Sequence, residues 1–250
     1  MDNPDISIVT GTYNRCHLLQ DAVRTARAAC GALSVEIIII DAGSTDGTRV
    51  FCESQPDVVY IDQGELLGAI KAFNAGFSIA KGKYVINLND DCIVNGLCFE
   101  NAARMLDNDL TVGQIAFPFS DPGKQFKASA HGARRYMYAN FGMTRKWLGD
   151  LVGWWGDVYR KYGGDTIISM RIQMWGYKIG MIQECAISHY RTVDSLRLHE
   201  PRNVDQFIMR KEYAFFDFSM PQYPLITEEE YLALSDIHKR QLRSLYAVHT

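Results

Sequence analysis

The sequence predicts an α/β protein, with a Rossmann-like, mostly parallel central sheet flanked by helices and a helical extension at the C-terminal end. Three observations carry this expectation. Four short apolar runs rich in β-branched residues recur within the first hundred residues. Segments with helical spacing of apolar residues separate them. Stretches dense in carboxylates and glycine fall just after the runs, which is where such sheets bind ligands.

The first run is residues 6–10, and Leu18, Leu19, Ala22, Val23, Ala26 and Ala29 follow it at helical spacing. Residues 35–40 form the second run, 58–61 the third and 84–88 the fourth. Near-continuous apolar strands of this kind suit a parallel sheet buried on both faces. Between the last two, Leu67, Ile70, Ala72, Phe73, Phe77 and Ile79 mark another helix. After Leu106 the alternation stops. Residues 115–119 read as a strand, 120–133 as a mobile loop of small and basic residues, and 165–175 as a helix closed by Gly176. A strand over 179–187 and a final helix over 227–246 complete the reading, the latter opened by the capping-box pattern Thr227-Glu228-Glu229-Glu230.

Composition excludes several classes. The chain has 250 residues, 47% of them hydrophobic, and a net charge of −3 from 26 Lys+Arg against 29 Asp+Glu. These are globular values, without the basic excess of a dedicated nucleic-acid binder. No run approaches the roughly 20 apolar residues of a membrane span. The acidic N-terminus lacks the basic and apolar regions of a signal peptide. The six cysteines form no CxxC pair, so reduced, buried thiols are expected rather than a zinc or redox motif. The expected location is cytoplasmic, or peripheral at a membrane.

Chemistry concentrates at the strand ends. Thr12 and Tyr13 follow strand one, where the glycine fingerprint of dinucleotide folds is absent, and they are candidates to contact a base or ribose. Strand two runs into Asp41-Ala42-Gly43-Ser44-Thr45-Asp46-Gly47-Thr48. Asp41 is placed to accept a hydrogen bond from a nucleobase N–H, Gly43 allows a tight backbone, and Asp46 is a candidate helix cap. Strand four ends in Asn89-Asp90-Asp91. Adjacent carboxylates repel unless a cation or donors compensate, and oxygen ligands suit Mn²⁺ or Mg²⁺ carrying phosphate. Asp165 alone reads as a helix cap, with Asp157 a second carboxylate nearby. Trp147, Trp154 and Trp155 are either a sugar-stacking platform or core.

Thr12-Tyr13-Asn14, the segment from Asp41 to Thr48, the Asn89-Asp90-Asp91 triplet, and Gly68-x-x-x-Ala72-x-Asn74-x-Gly76 followed by Ala80-Lys81-Gly82-Lys83-Tyr84 resemble glycosyltransferase family 2, of GT-A fold. In the second half, Tyr162-Gly163-Gly164-Asp165-Thr166, Ser169-x-Arg171 and Trp175-Gly176-Tyr177-Lys178-Ile179 resemble the family's acceptor segment.

The resemblance implies an inverting transfer of a sugar from a nucleoside diphosphate donor, usually UDP, to an acceptor hydroxyl with Mn²⁺ or Mg²⁺. It assigns Asp165 as catalytic base; Thr12, Tyr13, Asp41, Gly43, Lys71, Asn89 and Asp90 to the donor; and Asp91 and His189 to the metal. A lowered pKa is expected for Asp165 from its helix N-terminus. Lys127, His131 and Arg134 lie in a loop that could close over the diphosphate. Ala42, Asn89 and Gly164 depart from the family pattern. They keep open a catalytically inactive nucleotide-sugar-binding module, and a nucleotidyltransferase is the other alternative. Residues 1–110 are expected to form the nucleotide-sugar-binding half, 111–200 the acceptor and catalytic half, and 201–250 the helical extension. The acceptor is open among a glycan, a lipid-linked sugar, a protein and a modified nucleic acid. The C-terminal helix is a candidate surface for self-association, with packing on the domain as its default.

Overall fold

The computed structural model describes residues 3–121, 124–126, 137–156, 163–183, 187–190 and 221–244. Lys127, His131, Arg134, Asp157, Tyr162 and Cys185 lie outside the described residues.

The first half alternates as expected: β1 (Ile6–Thr12), α1 (Cys16–Ala29), β2 (Val35–Asp41), α2 (Thr48–Glu53), β3 (Val58–Asp62), α3 (Ala69–Ile79), β4 (Tyr84–Asn87). Then come β5 (Cys92–Val94), α4 (Cys98–Asn108), β6 (Val112–Ala116), β7 (Phe119–Asp121), β8 (Lys124–Phe126), β9 (Gly142–Arg145) and α5 (Lys146–Val152). The described remainder is α6 (Gly164–Met174), β10 (Lys178–Met181), β11 (Ile187–His189), α7 (Glu228–Ala233) and α8 (Asp236–Ser244).

A seven-stranded sheet has the order β10-β6-β9-β4-β1-β2-β3. All neighbours are parallel except β9, which is antiparallel to both β4 and β6. From β1 the chain steps outward through β2 to β3, then returns to place β4 on β1's other side. The crevice beyond the carboxyl ends of β1 and β4 is therefore the topological switch point, the ligand-binding position of open α/β sheets.

Burial on both faces explains the unbroken apolar runs of β1, β2 and β4, whereas β3 lies at the sheet edge and leaves Val59 and Ile61 exposed. Ile37 and Ile39 face one core with Leu19, Val23, Phe99 and Leu106, while Ile38 and Ile40 face the other with Ile70, Phe73 and Phe77. The period of two along a strand sends alternate side chains to opposite faces, and here both faces are covered by helices. The second core also takes Trp147, Trp154 and Trp155, each under 9% exposed, and Trp154 stacks on Phe77 at 4.5 Å between ring centroids. These tryptophans are core and not a sugar platform.

Four expected elements are corrected. The strand expected over 115–119 is broken by Phe117-Pro118, because proline cannot donate to a ladder; β6 stays in the large sheet and β7 starts a second one. That second sheet, β5-β11-β7-β8, includes part of the stretch expected as a loop over 120–133, with β7 and β8 antiparallel. The strand expected over 179–187 is likewise two, β10 in one sheet and β11 in the other. The helix expected over 227–246 has its capping box at Thr227 and Glu230 but stops at Leu234, which is extended, and resumes as α8. It packs on the domain: Tyr231 is buried beside Trp147, and Arg243 Nε donates to the Asp150 carbonyl at 2.8 Å. Among the described residues no helix is long and apolar enough to cross a membrane. Among the described residues, Cys16, Cys30, Cys52, Cys92 and Cys98 are buried and form no disulfide.

Candidate active site

The loops after β1 and β2 hold each other. Asn14, at φ 51°, donates its N–H to Ser44 Oγ at 2.8 Å and accepts from the Thr45 N–H at 2.8 Å. Asp46 accepts from the Cys16 N–H at 2.7 Å and the Thr48 hydroxyl at 2.6 Å, so it ties the first residues of α1 and α2 together, while the cap position of α2 is Gly47 and not Asp46 as expected. Burial pushes its carboxyl up, but those donors outweigh it and hold Asp46 below the usual range.

Asp41 is completely buried. Its Oδ1 accepts from the Ser44 N–H at 3.1 Å and hydroxyl at 2.5 Å, and its Oδ2 from the Tyr60 hydroxyl at 2.8 Å. Burial, then the hydrogen bond to Asp41, pushes Tyr60 above its ordinary range, so it stays a donor. Gly43 is required by its φ of 86° and by its neighbour, since a Cβ would lie 2.8 Å from the Gly64 carbonyl oxygen. Tyr13 is partly exposed at the rim, and Lys71 is exposed on α3 and joins none of these bonds.

The two carboxylates after β4 diverge. Asp90 accepts from Thr12 Oγ1 at 2.9 Å and Arg15 Nη1 at 2.9 Å. Burial raises its carboxyl while Arg15 opposes the rise. Thr12 and Asp90 thus fasten β1 to β4. Asp91 turns the other way: its Oδ1 is 3.2 Å from His189 Nε2, and its Oδ2 is 3.9 Å from Arg15 Nη1. Asn89 Nδ2 is 3.4 Å from the same His189 nitrogen. The antiparallel pairing of β5 with β11, which sets His189 opposite Cys92, brings together groups nearly a hundred residues apart in sequence.

Asp91, Cys92 and His189 present ligand atoms within 4.8 Å of one another, all buried. A carboxylate oxygen with an imidazole nitrogen fits a divalent cation such as Mn²⁺. The Cys92 thiol is softer and, pushed well up by burial and then by Asp91, does not improve that fit.

Asp165 lies in the first turn of α6, whose cap is Gly163 at φ 95°, so Asp165 is not the cap itself. Its Oδ2 accepts from Asn140 Nδ2 at 2.6 Å and its Oδ1 from the Thr166 N–H at 2.8 Å. Asn140 is anchored in turn, its carbonyl accepting from Asn87 Nδ2 at 2.8 Å. The base candidate is therefore tied to the end of β4, two residues before Asn89. Contrary to the lowered pKa expected at a helix start, burial dominates and raises the Asp165 carboxyl, with the Thr166 and Asn140 bonds opposing it. Gly164 has a packing reason for standing where the family often has glutamate: a Cβ there would collide with the Trp155 ring.

Comparison with known proteins agrees with this architecture. The family model for glycosyl transferase family 2 matches residues 7–162. The chain belongs to that family. It is 30% identical over 115 residues to glycosyltransferase GlyG of Streptococcus pneumoniae, covering 43% of this chain and 38% of that one. To the undecaprenyl-phosphate 4-deoxy-4-formamido-L-arabinose transferase of Aeromonas hydrophila it is 36% identical over 104 residues, 36% of this chain and 31% of that one. The chain thus spans about a third of the length of the curated relatives it matches. Among solved structures, S. aureus TarS in complex with UDP-GlcNAc superposes with a TM-score of 0.67 at 15% identity, over 98% of this chain and 72% of that one. The mannosyltransferase PcManGT from Pyrobaculum calidifontis in complex with GDP-Man and Mn²⁺ gives 0.58 at 15%, over 100% and 72%. This family member has the GT-A fold, a mixed α/β architecture around a largely parallel sheet.

Residue types alone did not single out Asp121, Asn140, Tyr60 or Arg15 for the site. Each matters through a partner 19 to 75 residues away. No local pattern in the sequence announces such pairs.

Proposed function

We propose that this chain is an inverting glycosyltransferase that moves a sugar from a nucleoside diphosphate donor, UDP above other nucleotides, to an acceptor hydroxyl. The observation that carries the reading is the meeting of Asp91 and His189 at the switch-point crevice, with Asp165 tied through Asn140 to the same strand end. Family membership and neighbours whose titles name UDP-GlcNAc and GDP-Man support it.

Asp165 takes the proton of the acceptor hydroxyl as that oxygen attacks the anomeric carbon and the bond from that carbon to the diphosphate oxygen breaks. Burial raises its pKa, which makes the carboxylate a stronger base than that of an ordinary aspartate. Asp91 and His189 would hold the cation, Mn²⁺ or Mg²⁺, with Asn89 beside them. Bound there, it would supply positive charge to offset that on the departing nucleoside diphosphate. Asp90 and Thr12 fix the loop beneath the donor through Arg15. Asp41 reads the base when the base N–H replaces one of its Ser44 or Tyr60 bonds, and Gly43 and Tyr13 shape the rim. Arg15, the basic residue after strand one, is committed to Asp90, which disfavours a nucleotidyltransferase reading.

The test is a nucleotide-sugar panel scored by thermal stabilisation with and without Mn²⁺. A shift for one nucleotide sugar that needs Mn²⁺ and disappears in Asp91→Ala is expected. No shift with any member of the panel overturns the reading.

A further inference from the structure

His189 is built into a cage, and Asp121 is the part of it that faces away from Asp91. β11 lies between β5 and β7, so His189 has Asp91 on one flank and the end of β7 on the other. His189 Nδ1 is 2.9 Å from Asp121 Oδ1, and Nε2 is 3.2 Å from Asp91 Oδ1. The rings of Phe141 and Phe119 meet the imidazole edge-on, at 5.4 and 6.4 Å between centroids. Both His189 and Asp121 are under 10% exposed, so the pair is shielded from water.

We infer that Asp121 is a positioning residue that fixes the tautomer of His189 and hands its Nε2 lone pair to the divalent cation. The inference rests on the metal role proposed above. A neutral imidazole carries one N–H. An ionised carboxylate can only accept, so Asp121 at 2.9 Å requires that proton on Nδ1. The opposite tautomer would set two lone pairs against each other at that distance. With Nδ1 as the donor, Nε2 presents its lone pair toward Asp91 Oδ1, and two acceptors 3.2 Å apart form a receptacle for a cation. Carboxylates in this relation to a metal-ligating histidine orient the ring and raise its basicity. Phe119 contributes twice, packing against the ring and placing Asp121 two residues along the same strand, on the same face.

The experiment is a double-mutant cycle on Mn²⁺ affinity, read by electron paramagnetic resonance of the free ion, together with nitrogen-detected NMR of the histidine tautomer. In the wild type, His189 is expected to carry its proton on Nδ1. Asp121→Ala is expected to weaken Mn²⁺ binding by about 10- to 100-fold, the usual effect of losing such a partner. It also shifts the tautomer toward Nε2–H. In a His189→Ala background, Asp121→Ala costs nothing further, because Asp121 acts through His189. Asp121→Asn keeps the shape and a weaker acceptor, gives an intermediate loss, and carries the test if the alanine variant fails to fold. An unchanged tautomer in the Asp121 variants overturns the inference, as does an equal Mn²⁺ loss in both backgrounds. Failure of the metal role is distinguishable: the wild type would then show no Mn²⁺ binding while its His189 tautomer still depended on Asp121.

Discussion

Replacing Asn140 by alanine isolates the electrostatics of Asp165. The substitution removes one donor, the Asn140 Nδ2 bond of 2.6 Å to Asp165 Oδ2. It leaves the Thr166 N–H on Oδ1 and the Asn140 carbonyl that accepts from Asn87. A hydrogen bond to a charged group contributes about 1.5–3 kcal/mol. The bond favours the ionised carboxylate, so its loss raises an already raised carboxyl further. The acid limb of the pH–rate profile therefore moves to higher pH. On that limb, kcat/KM falls by about 10- to 150-fold, the rate equivalent of the lost bond. Above the new limb, activity returns toward the wild-type plateau. The assay is kcat/KM for sugar transfer from about pH 5 to 9, which spans the regime where a carboxylate base is titrated. A uniform loss at every pH would mean that Asn140 only positions the base, and an unchanged profile would mean that Asp165 is not the titrating group. Either result refutes the reasoning.

Three further outcomes follow from the geometry. Asp165→Asn removes a carboxyl whose folded pKa is raised, so the folded state of the wild type holds more protons than the unfolded state above the unfolded pKa, and stability falls as pH rises through the folded value. With the Asn140 amide turned to accept, the variant melts at or above the wild-type temperature at neutral pH, the difference shrinking in acid; a lower neutral melting temperature contradicts this. Arg15→Leu leaves Asp90 buried without its cation and costs about 3–5 kcal/mol in denaturant unfolding, most of it regained in the double variant with Asp90→Asn. Gly43→Ala forces a Cβ onto the Gly64 carbonyl at a positive φ, costing at least about 1–2 kcal/mol and weakening donor binding in a titration.

The parallel half of the fold was legible because burial on both faces writes itself as continuous β-branched runs, as in residues 37–40. The strand-end position of Asp41 and Asp91 then pointed to the crevice. The antiparallel insertion of β9 between β4 and β6 was not legible: its four residues, Gly142-Met143-Thr144-Arg145, carry no strand pattern, and their place comes from long-range pairing. Residue type also failed to separate neighbours. Asp90 and Asp91 look alike in sequence, yet Asp90 serves Thr12 and Arg15 while Asp91 faces His189. The direction of the Asp165 pKa was misjudged because helix position is local, whereas the burial that decides it is made by the tertiary fold.

The central claim is that Asp165 is the base of a nucleotide-sugar transfer. The most direct measurement is nucleoside diphosphate release from the stabilising nucleotide sugar, with Mn²⁺ present, for the wild type and Asp165→Asn, alongside donor-induced thermal stabilisation of both. The account predicts release at least about 100-fold slower in the variant, with the donor-induced shift intact. Release from Asp165→Asn at the wild-type rate would contradict it.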